Sequence, residues 1–192
     1  GFSGLLVETE DVEERKQYIG IVEENNELLL QLISDILDLS KIEAGTFEFT
    51  ITEVNVNLLC EVIVRSMQGK TTETVKLVFD KHLPECYIMS DRNRLHQVIS
   101  NFVNNAAKFT SEGTIKVGYE QLEDSRIRFY VSDTGIGIKE EYRVQIFDRF
   151  VKLNSFIHGT GLGLSICRSI IDQLHGEIGV ESEPGKGSCF WF

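Results

Sequence analysis

One uninterrupted helical pattern, from Asp11 to Ala44, constrains this chain more than any other feature. Its apolar residues recur at alternating steps of three and four, which is the spacing of one face of an α-helix. The seam positions are Ile19, Val22, Asn26, Leu29, Ile33, Ile36 and Ser40, of which Asn26 and Ser40 are polar. The stripe is widened by Leu30, Leu32, Leu37 and Leu39. A stripe of this width favours a helix in a bundle over a two-stranded coiled coil.

The ends of this helix are also marked in the sequence. Asp11 with Glu14 predicts a capping box, and Gly45 predicts the C-terminal stop. The helix would be roughly 50 Å long. The ten residues before it, "GFSGLLVETE", supply only a turn or two of partner helix. We therefore expect upstream sequence or a second copy to cover the stripe.

Composition excludes several classes of protein. The 192 residues are 42% hydrophobic and 26% charged, which is typical of one folded domain or two small ones. A net charge of −11 argues against a broad nucleic-acid surface but not against a local anion site. No run of 18 apolar residues and no leader pattern is present. The scattered cysteines suggest buried, reduced thiols of a cytosolic protein: Cys60, Cys86, Cys167 and Cys189.

After Gly45 the pattern changes to short alternating segments mixed with shorter helices. We predict strands at "TFEFTI", with Phe47, Phe49 and Ile51 buried, and at "VKLVFD", "CYIMSD", "EIGVESE" and "GSCFWF". A hairpin is predicted from "TIKVGYEQL" and "SRIRFYVSD", and helices from "VNLLCEVIVRSM", "DRNRLHQVISNFVNNAAKF" and "GLGLSICRSIIDQLHG", the last ending before Gly176. The resulting fold class is α+β, a two-layer α/β sandwich preceded by a long bundle-forming helix.

Three polar or glycine-rich features lie at the ends or on the faces of these elements. Asp133 leaves a buried strand just before Gly135 and Gly137, which fits either a ligand pocket or a capped turn. Asn101 and Asn105 are four apart and share a helix face with Lys108, which fits either a Mg²⁺-phosphate site or buried structural amides.

The third feature is a run of glycines directly before the last predicted helix. Gly159, Gly161 and Gly163 fit either an anion site at a helix N-terminus or an ordinary loop.

Taken in order, these segments resemble the sensor histidine kinases of two-component signalling. "NFVNNAAKFT" resembles the N box, "DTGIGI" the G1 box, "IFDRFVKL" the F box and "GTGLGLS" the G2 box, and "EPGKGS" resembles a C-terminal glycine turn. The resemblance implies the ATP-binding sandwich of histidine kinases, gyrase and Hsp90. It divides the chain into residues 1–45, mainly the second helix of a dimerisation hairpin, and residues 46–192, a catalytic ATP-binding domain.

The same resemblance implies roles for individual residues. Asp133 would accept a hydrogen bond from the adenine amine, and Gly135 and Gly137 would leave room for the ring. The segment 147–158 would be a short lid over the phosphates. The ATP-binding residues would be Asn101, Asn105, Lys108, Asp133, Gly135, Gly137, Lys152, Gly159, Thr160, Gly161, Leu162, Gly163 and Ser188. Mg²⁺ would be held by Asn105 with Asn101, and the catalytic residues would be Asn101, Lys108 and Arg149.

One family feature is missing from the sequence. The family transfers phosphate to a histidine on the first hairpin helix, but the four histidines here are His82, His96, His158 and His175, none on a hairpin helix. We assign all four structural or solvent roles. We therefore expect a piece that begins just past the phospho-acceptor segment.

Two other functions are compatible with the same fold. In the gyrase and Hsp90 class the position of Asn101 is a glutamate that activates water, so an amide there favours a kinase over an ATP hydrolase. The other alternative is a scaffolding module with a vestigial nucleotide site.

The resemblance further implies a homodimer through the hairpin helices, a response-regulator receiver domain as partner, and no direct nucleic-acid partner. It also implies a cytoplasmic location, with any membrane link through upstream segments.

Overall fold

The computed structural model describes residues 11–123, 125–152 and 160–192. It divides into two compact units, which are described separately. The first comprises the described residues 11–47 together with Thr160. The second comprises residues 48–123, 125–152 and 161–192.

The first unit contains the long helix α1, Val12–Glu43, which begins as predicted. The side chain of Asp11 accepts hydrogen bonds from the backbone N–H groups of Glu13 (2.8 Å) and Glu14 (3.1 Å). These bonds satisfy two of the four N–H groups that a helix leaves unpaired at its start. The Asp11 half of the predicted capping box is confirmed.

The C-terminal end of α1 also forms as predicted. Gly45 adopts a left-handed φ of 65°, and its N–H donates to the carbonyl of Ile42 (3.1 Å). The N–H of Thr46 donates to the carbonyl of Lys41 (3.0 Å). These two bonds form a Schellman motif, which needs a residue that tolerates positive φ, as glycine does.

The apolar stripe of α1 lies largely on the surface of its own unit. The side chains exposed by 41 to 67% are Ile19, Leu29, Leu30, Ile33, Ile36 and Leu37. No other helix of the described first unit covers them. The expectation that upstream sequence or a second copy covers this stripe stays a prediction.

The second unit contains seven strands and three helices in its described residues. The strands are β1 (Thr52–Asn55), β2 (Val75–Asp80), β3 (Tyr87–Ser90), β4 (Gly113–Gln121), β5 (Ile127–Asp133), β6 (Gly179–Glu183) and β7 (Gly187–Trp191). The helices are α2 (Val56–Met67), α3 (Arg92–Phe109) and α4 (Gly163–Gln173). Short 3₁₀ turns occupy Gln68–Lys70, Glu140–Tyr142 and Gln145–Phe147.

The main sheet has the strand order β2-β4-β5-β7-β6, and the strands β1 and β3 form a separate antiparallel pair. β2 is parallel to β4, whereas the other neighbours in the main sheet are antiparallel. β4 and β5 form the predicted hairpin, with Ile115 opposite Asp133. This register brings Asp133 to the end of a central strand.

The core lies between the main sheet and helices α2, α3 and α4. Each helix buries one apolar stripe, as the helical period predicts. Among the fully or almost fully buried side chains are Leu59, Ile63, Val98, Phe102, Ile166 and Ile170 from the helices and Ile115, Tyr119, Val131 and Phe190 from the sheet. The predicted two-layer α/β sandwich is confirmed.

The predicted strand at residues 46–51 is wrong. The strand begins at Thr52, and residues Thr52–Asn55 pair with Ser90–Tyr87 of β3. Phe47 is buried and Phe49 is half-buried, but Ile51 is 50% exposed, so the predicted burial of alternate residues fails at Ile51. Residues 46–51 do alternate in the sequence, but β3 pairs with the four residues that follow them, Thr52–Asn55.

The end of α4 differs from the prediction by one residue. His175, not Gly176, takes the left-handed conformation, with φ of 58°. Its N–H donates to Asp172 (3.1 Å), and the N–H of Gly176 donates to Ile171 (2.9 Å). The Schellman motif therefore places a histidine where glycine is usually found.

None of the four cysteines forms a disulfide, and three of them are buried: Cys60, Cys86 and Cys167. Burial raises the pKa of the Cys60 thiol to about 12 and that of the Cys189 thiol to about 11. Both thiols therefore stay protonated and weakly nucleophilic at neutral pH.

Candidate functional site

Helix α3 carries the paired amides of the site. Asp91 caps its N-terminus, as its side chain accepts from the N–H groups of Asn93 (2.9 Å) and Arg94 (3.1 Å). Asn101 and Asn105 are both half-buried, and Nδ2 of Asn105 donates to Oδ1 of Asn101 (3.2 Å). The two amides therefore lie side by side on one helix face, as their spacing predicted.

The chemistry of this pair fits a magnesium ion. Oδ1 of Asn105 accepts no hydrogen bond from any described residue. Neutral amide oxygens suit Mg²⁺ that is shared with phosphate oxygens. The described residues contain no cluster of three or more His, Cys, Asp or Glu side chains that could hold a metal by themselves.

Asp133 is a buried carboxylate at the C-terminal end of β5, with 7% of its surface exposed. Its Oδ1 accepts hydrogen bonds from the N–H of Gly135 (2.8 Å) and, more weakly, from the N–H of Ser188 (3.3 Å). Burial raises the pKa of Asp133, while these two N–H groups and the neighbouring Thr110 hydroxyl lower it. Within the described part of the chain, its other oxygen has no such donor.

The two glycines after Asp133 are required by contacts within the protein. A Cβ at Gly135 would collide with the carbonyl oxygen of Phe109, and a Cβ at Gly137 with the carbonyl oxygen of Glu183. Gly137 also has φ of 67°, which favours glycine. The prediction that these glycines leave room for a base stays a prediction, because close packing against the ends of α3 and β6 already accounts for both.

Ser188 lies beside Asp133 and is 8% exposed. Ser182 donates its single hydroxyl proton to the carbonyl of Gly187 (2.8 Å) and accepts from the N–H of Ile138 (2.7 Å). The Ser188 hydroxyl, 2.9 Å from Oγ of Ser182, is therefore the donor of that pair. Ser188 has only lone pairs left to offer to a base or a water.

The glycine-rich segment reaches the site at Gly163, the first residue of α4. A Cβ at Gly163 would collide with Nδ2 of Asn101, so the start of α4 lies directly against the amide pair. Among the residues that the structure describes, no side chain caps this helix. Its N-terminal N–H groups and dipole therefore face the region of the amides, an arrangement suited to an anion.

The other residues of this segment lie in different surroundings. Gly161 has φ of 72°, and its carbonyl accepts from the N–H of Phe150 (2.8 Å). Leu162 is completely buried, so its side chain offers no surface to a ligand. Thr160 belongs to the compact unit of α1, where its hydroxyl donates to the buried carboxylate of Asp35 (2.8 Å). Gly159 lies outside the described residues.

The candidate phosphate-binding cations are all on the surface. Lys108 is exposed in the last turn of α3, and Arg149 and Lys152 are exposed after the 3₁₀ turn that ends at Phe147. The predicted lid covers residues 147–158, of which 153–158 lie outside the described residues. Phe147 itself is buried and packs edge-on against Phe190.

The histidines are consistent with structural and solvent roles where they are described. His82 is exposed and lies edge-on to the Tyr119 ring, and His175 ends α4. His96 is half-buried, and its Nδ1 lies 3.3 Å from the Ser100 hydroxyl. Burial and the nearby Arg92 lower the pKa of His96, so it is neutral at physiological pH. His158 lies outside the described residues.

Sequence reasoning missed two hydroxyls of the site. Thr110 was visible only as the last letter of "NFVNNAAKFT", with no spacing that set it apart from an ordinary helix-ending residue. Ser182 is one of several small residues in "EIGVESE", and its role depends on β6–β7 pairing, in which it lies opposite Ser188. A local pattern could not reveal either contact.

Two family models match the chain. Residues 90–192 match the model described as histidine kinase-, DNA gyrase B-, and HSP90-like ATPase. Residues 1–45 match the model described as the His Kinase A (phospho-acceptor) domain. Residues 1–45 contain no histidine.

Among curated proteins, the chain is similar to sensor kinases. It is 38% identical over 204 residues to the sensor protein GacS of Pseudomonas syringae pv. syringae, a match that covers 100% of this chain and 22% of that protein. It is 36% identical over 205 residues to the autoinducer 2 sensor kinase/phosphatase LuxQ of Vibrio harveyi, covering 99% of this chain and 23% of LuxQ. The chain thus spans under a quarter of the length of these relatives.

Two solved structures share the fold over almost the whole chain. Full-length ShkA in complex with AMPPNP has a TM-score of 0.82 and 31% identity, covering 98% of this chain and 40% of ShkA. Histidine kinase ThkA in complex with the response regulator protein TrrA has a TM-score of 0.75 and 29% identity, covering 100% of this chain and 55% of that one. No described helix of the present chain is long and apolar enough to span a membrane.

Proposed function

Because the chain belongs to the family of histidine kinase-, DNA gyrase B- and HSP90-like ATPases, we propose that it is the ATP-binding catalytic core of a sensor histidine kinase. In the full protein, the γ-phosphate of ATP would pass to a histidine outside these 192 residues and then to an aspartate of a response regulator. Residues 1–45 would contribute mainly the second helix of the dimerisation hairpin, and residues 46–192 the catalytic domain.

The observation that carries this proposal is the position of α3 between the two glycine motifs. Its last residue, Phe109, packs against Gly135 after Asp133, and its middle residue, Asn101, packs against Gly163 at the start of α4. One helix thus links a buried carboxylate suited to a base with an uncapped helix N-terminus suited to phosphates.

Asp133 would select the base. Its free oxygen can accept a hydrogen bond from the exocyclic amine of adenine, while Oδ1 is held by the two backbone N–H groups. Guanine presents a carbonyl oxygen at the same position, so two acceptors would face each other in a buried site. We expect this mismatch to cost on the order of 1–3 kcal/mol.

The amide pair and the start of α4 would bind the phosphates. Asn105, with Asn101, would hold Mg²⁺, which when bound neutralises phosphate charge. The N–H groups at the start of α4 and the Lys108 ammonium would bind phosphate oxygens. Arg149 and Lys152 would contact the terminal phosphate, with Arg149 stabilising the charge that develops during transfer.

Phosphotransfer is favoured over hydrolysis by the residue at position 101. The Asn101 amide accepts from Asn105 and packs on Gly163, and an amide cannot take a proton from water at neutral pH. The site would therefore hold ATP for attack by a protein side chain rather than by a water that Asn101 activates.

The partners follow from the same proposal. The exposed stripe of α1 would be covered in a homodimer of hairpin helices, and the receiver domain of a response regulator would accept the phosphate. The structure of ThkA with TrrA supports a partner of this kind by similarity. Since ATP is the proposed substrate, the chain would work in the cytoplasm, linked to any membrane only through other segments of the protein.

Isothermal titration of the 192-residue chain with ATP and GTP, with Mg²⁺ or with EDTA, tests the proposal. We expect ATP to bind roughly 5- to 150-fold more tightly than GTP, because of the mismatch at Asp133. Removing Mg²⁺ should weaken ATP binding. Equal affinity for GTP would contradict the role given to Asp133, and no binding of ATP would contradict the proposed function itself.

A further inference from the structure

The hydroxyl of Thr110 is a buried polar group with no partner. Thr110 directly follows α3 and is 3% exposed. Its Oγ1 makes no hydrogen bond in the part of the chain that the structure describes. Buried hydroxyls are nearly always hydrogen-bonded, because leaving one unpaired is unfavourable. A valine would fill the same space without that cost.

This hydroxyl lies next to the carboxylate of Asp133. A Cβ built on Gly135 would be 2.8 Å from Oγ1 of Thr110 and 2.9 Å from Oδ1 of Asp133, so both oxygens converge on the same glycine. The hydroxyl is close enough to lower the pKa of the Asp133 carboxyl, although its geometry falls short of a hydrogen bond. It is a donor left available beside an acceptor.

The Asp133 carboxylate has room for such a donor. Oδ1 accepts a strong hydrogen bond from Gly135 at 2.8 Å, but that from Ser188 is long at 3.3 Å. Of the two hydrogen bonds to the carboxylate, only the one from Gly135 is therefore short. A third donor from Thr110 would fix the plane of the carboxylate, and with it the direction of the oxygen offered to a base.

We propose that Thr110 is a positioning residue for base selection, whose hydroxyl donates to Asp133 when a nucleotide binds and so aims the carboxylate at the exocyclic amine of adenine. This inference rests on the proposed function, since it assigns Asp133 to the base. A positioning role differs from a general role in shaping the pocket, because the effect of substituting Thr110 on nucleotide affinity should depend on the group at C6 of the purine.

The matched ligands are ATP and ITP, which carry an amine and an oxygen at C6. In titrations of the 192-residue chain with Mg²⁺, Thr110→Val should weaken ATP binding about tenfold, as expected for loss of a hydrogen bond to a charged group. It should change ITP binding by less than about twofold, since ITP gains nothing from a well-aimed acceptor. Thr110→Ser, which keeps the hydroxyl, should retain the wild-type preference.

Thermal unfolding without nucleotide provides a second readout. Thr110→Val should unfold at the same temperature as the wild type or higher, because it removes an unpaired buried hydroxyl. Thr71→Val is the control threonine, since its hydroxyl donates to the carbonyl of Gln68 far along the chain from Asp133. It should leave the ratio of ATP to ITP affinity unchanged. If circular dichroism shows that Thr110→Val is unfolded, Thr110→Ala is used instead, with the same expected change in the ratio of ATP to ITP affinity.

Two results would overturn the inference. One is an equal loss of ATP and ITP affinity in Thr110→Val, which indicates a general packing role. The other is wild-type affinity for both. A wild-type chain that binds neither nucleotide would instead overturn the proposed function, and this inference with it.

Discussion

At the scale of single residues, the environment of Asp133 decides what its carboxylate can do. An Asp at the end of a strand is ordinarily a turn cap, and this one does accept from Gly135 two residues on. It is also buried, and it is held by Ser188 from a strand 55 residues away. An ionised carboxylate that is buried in this way lowers the stability of the folded chain unless a bound ligand forms a hydrogen bond with it.

Asp133→Asn should therefore separate stability from binding. Because the pKa of Asp133 is raised in the folded chain, the folded state holds this proton more readily than the unfolded chain. The ionised carboxylate thus lowers stability progressively as pH rises above the ordinary Asp pKa of about 3.9. The substitution should raise the free energy of unfolding at pH 7, and the gain should shrink as pH falls toward that value.

The same variant should bind ATP more weakly, by about tenfold, because its amide can turn a donor toward the adenine amine. Urea unfolding at several pH values and titration with ATP measure the two effects. A variant that is less stable than the wild type at pH 7 would contradict the cost assigned to the buried carboxylate.

At the scale of secondary-structure elements, the ends of the helices depend on single residues with positive φ. Gly45, two residues past the end of α1, adopts the left-handed region readily. His175, two residues past the end of α4, has the same conformation although glycine follows it. A side chain in that region costs roughly 1 kcal/mol relative to glycine.

His175→Gly should therefore stabilise the chain by about 0.5–1 kcal/mol. The side chain is exposed, so its loss should not disturb the core. His175→Ala is the matched control, because alanine keeps the Cβ and should bring no comparable gain. The difference in urea midpoint at constant m-value measures the effect. Equal stability of the glycine and alanine variants would show that the backbone conformation carries no strain.

At the scale of the whole molecule, the apolar stripe on α1 is left exposed by the described residues of its own unit. Leu29, Leu30 and Ile33 are about half exposed or more along one helix. An apolar stripe of this length is typical of a surface that another helix covers. We predict that the chain self-associates through α1.

Sedimentation velocity over a range of concentrations should show that the wild-type chain forms a dimer. The double variant Leu29→Glu, Ile33→Glu should be monomeric, because carboxylates would be buried in the interface in place of apolar contacts. Met89→Glu is a suitable control. Met89 is an apolar residue that is more exposed, at 68%, than Leu29 and Ile33, but it lies on β3 of the second unit. Association that persists in the double variant, or that Met89→Glu abolishes, would contradict the assignment to α1.

The sequence by itself determined the elements whose signals are local. Asp11 was recognisable as a helix cap, because a cap acts within three residues of its own position. The helices α2, α3 and α4 and the β4–β5 hairpin followed from periodicity, since each periodic face coincides with the buried one. The paired amides Asn101 and Asn105 were predictable for the same reason, as four residues make one helical turn.

Only the tertiary structure decided features that depend on distant partners. The alternation at residues 46–51 predicted a strand, but pairing with β3 selected Thr52–Asn55, because a strand forms where a partner offers hydrogen bonds. Gly137 is required by the carbonyl of Glu183, 46 positions further along the chain. Thr110 became notable only when burial left its hydroxyl unpaired beside Asp133. Local patterns specify which face is buried, whereas the folded chain specifies which polar atoms meet there.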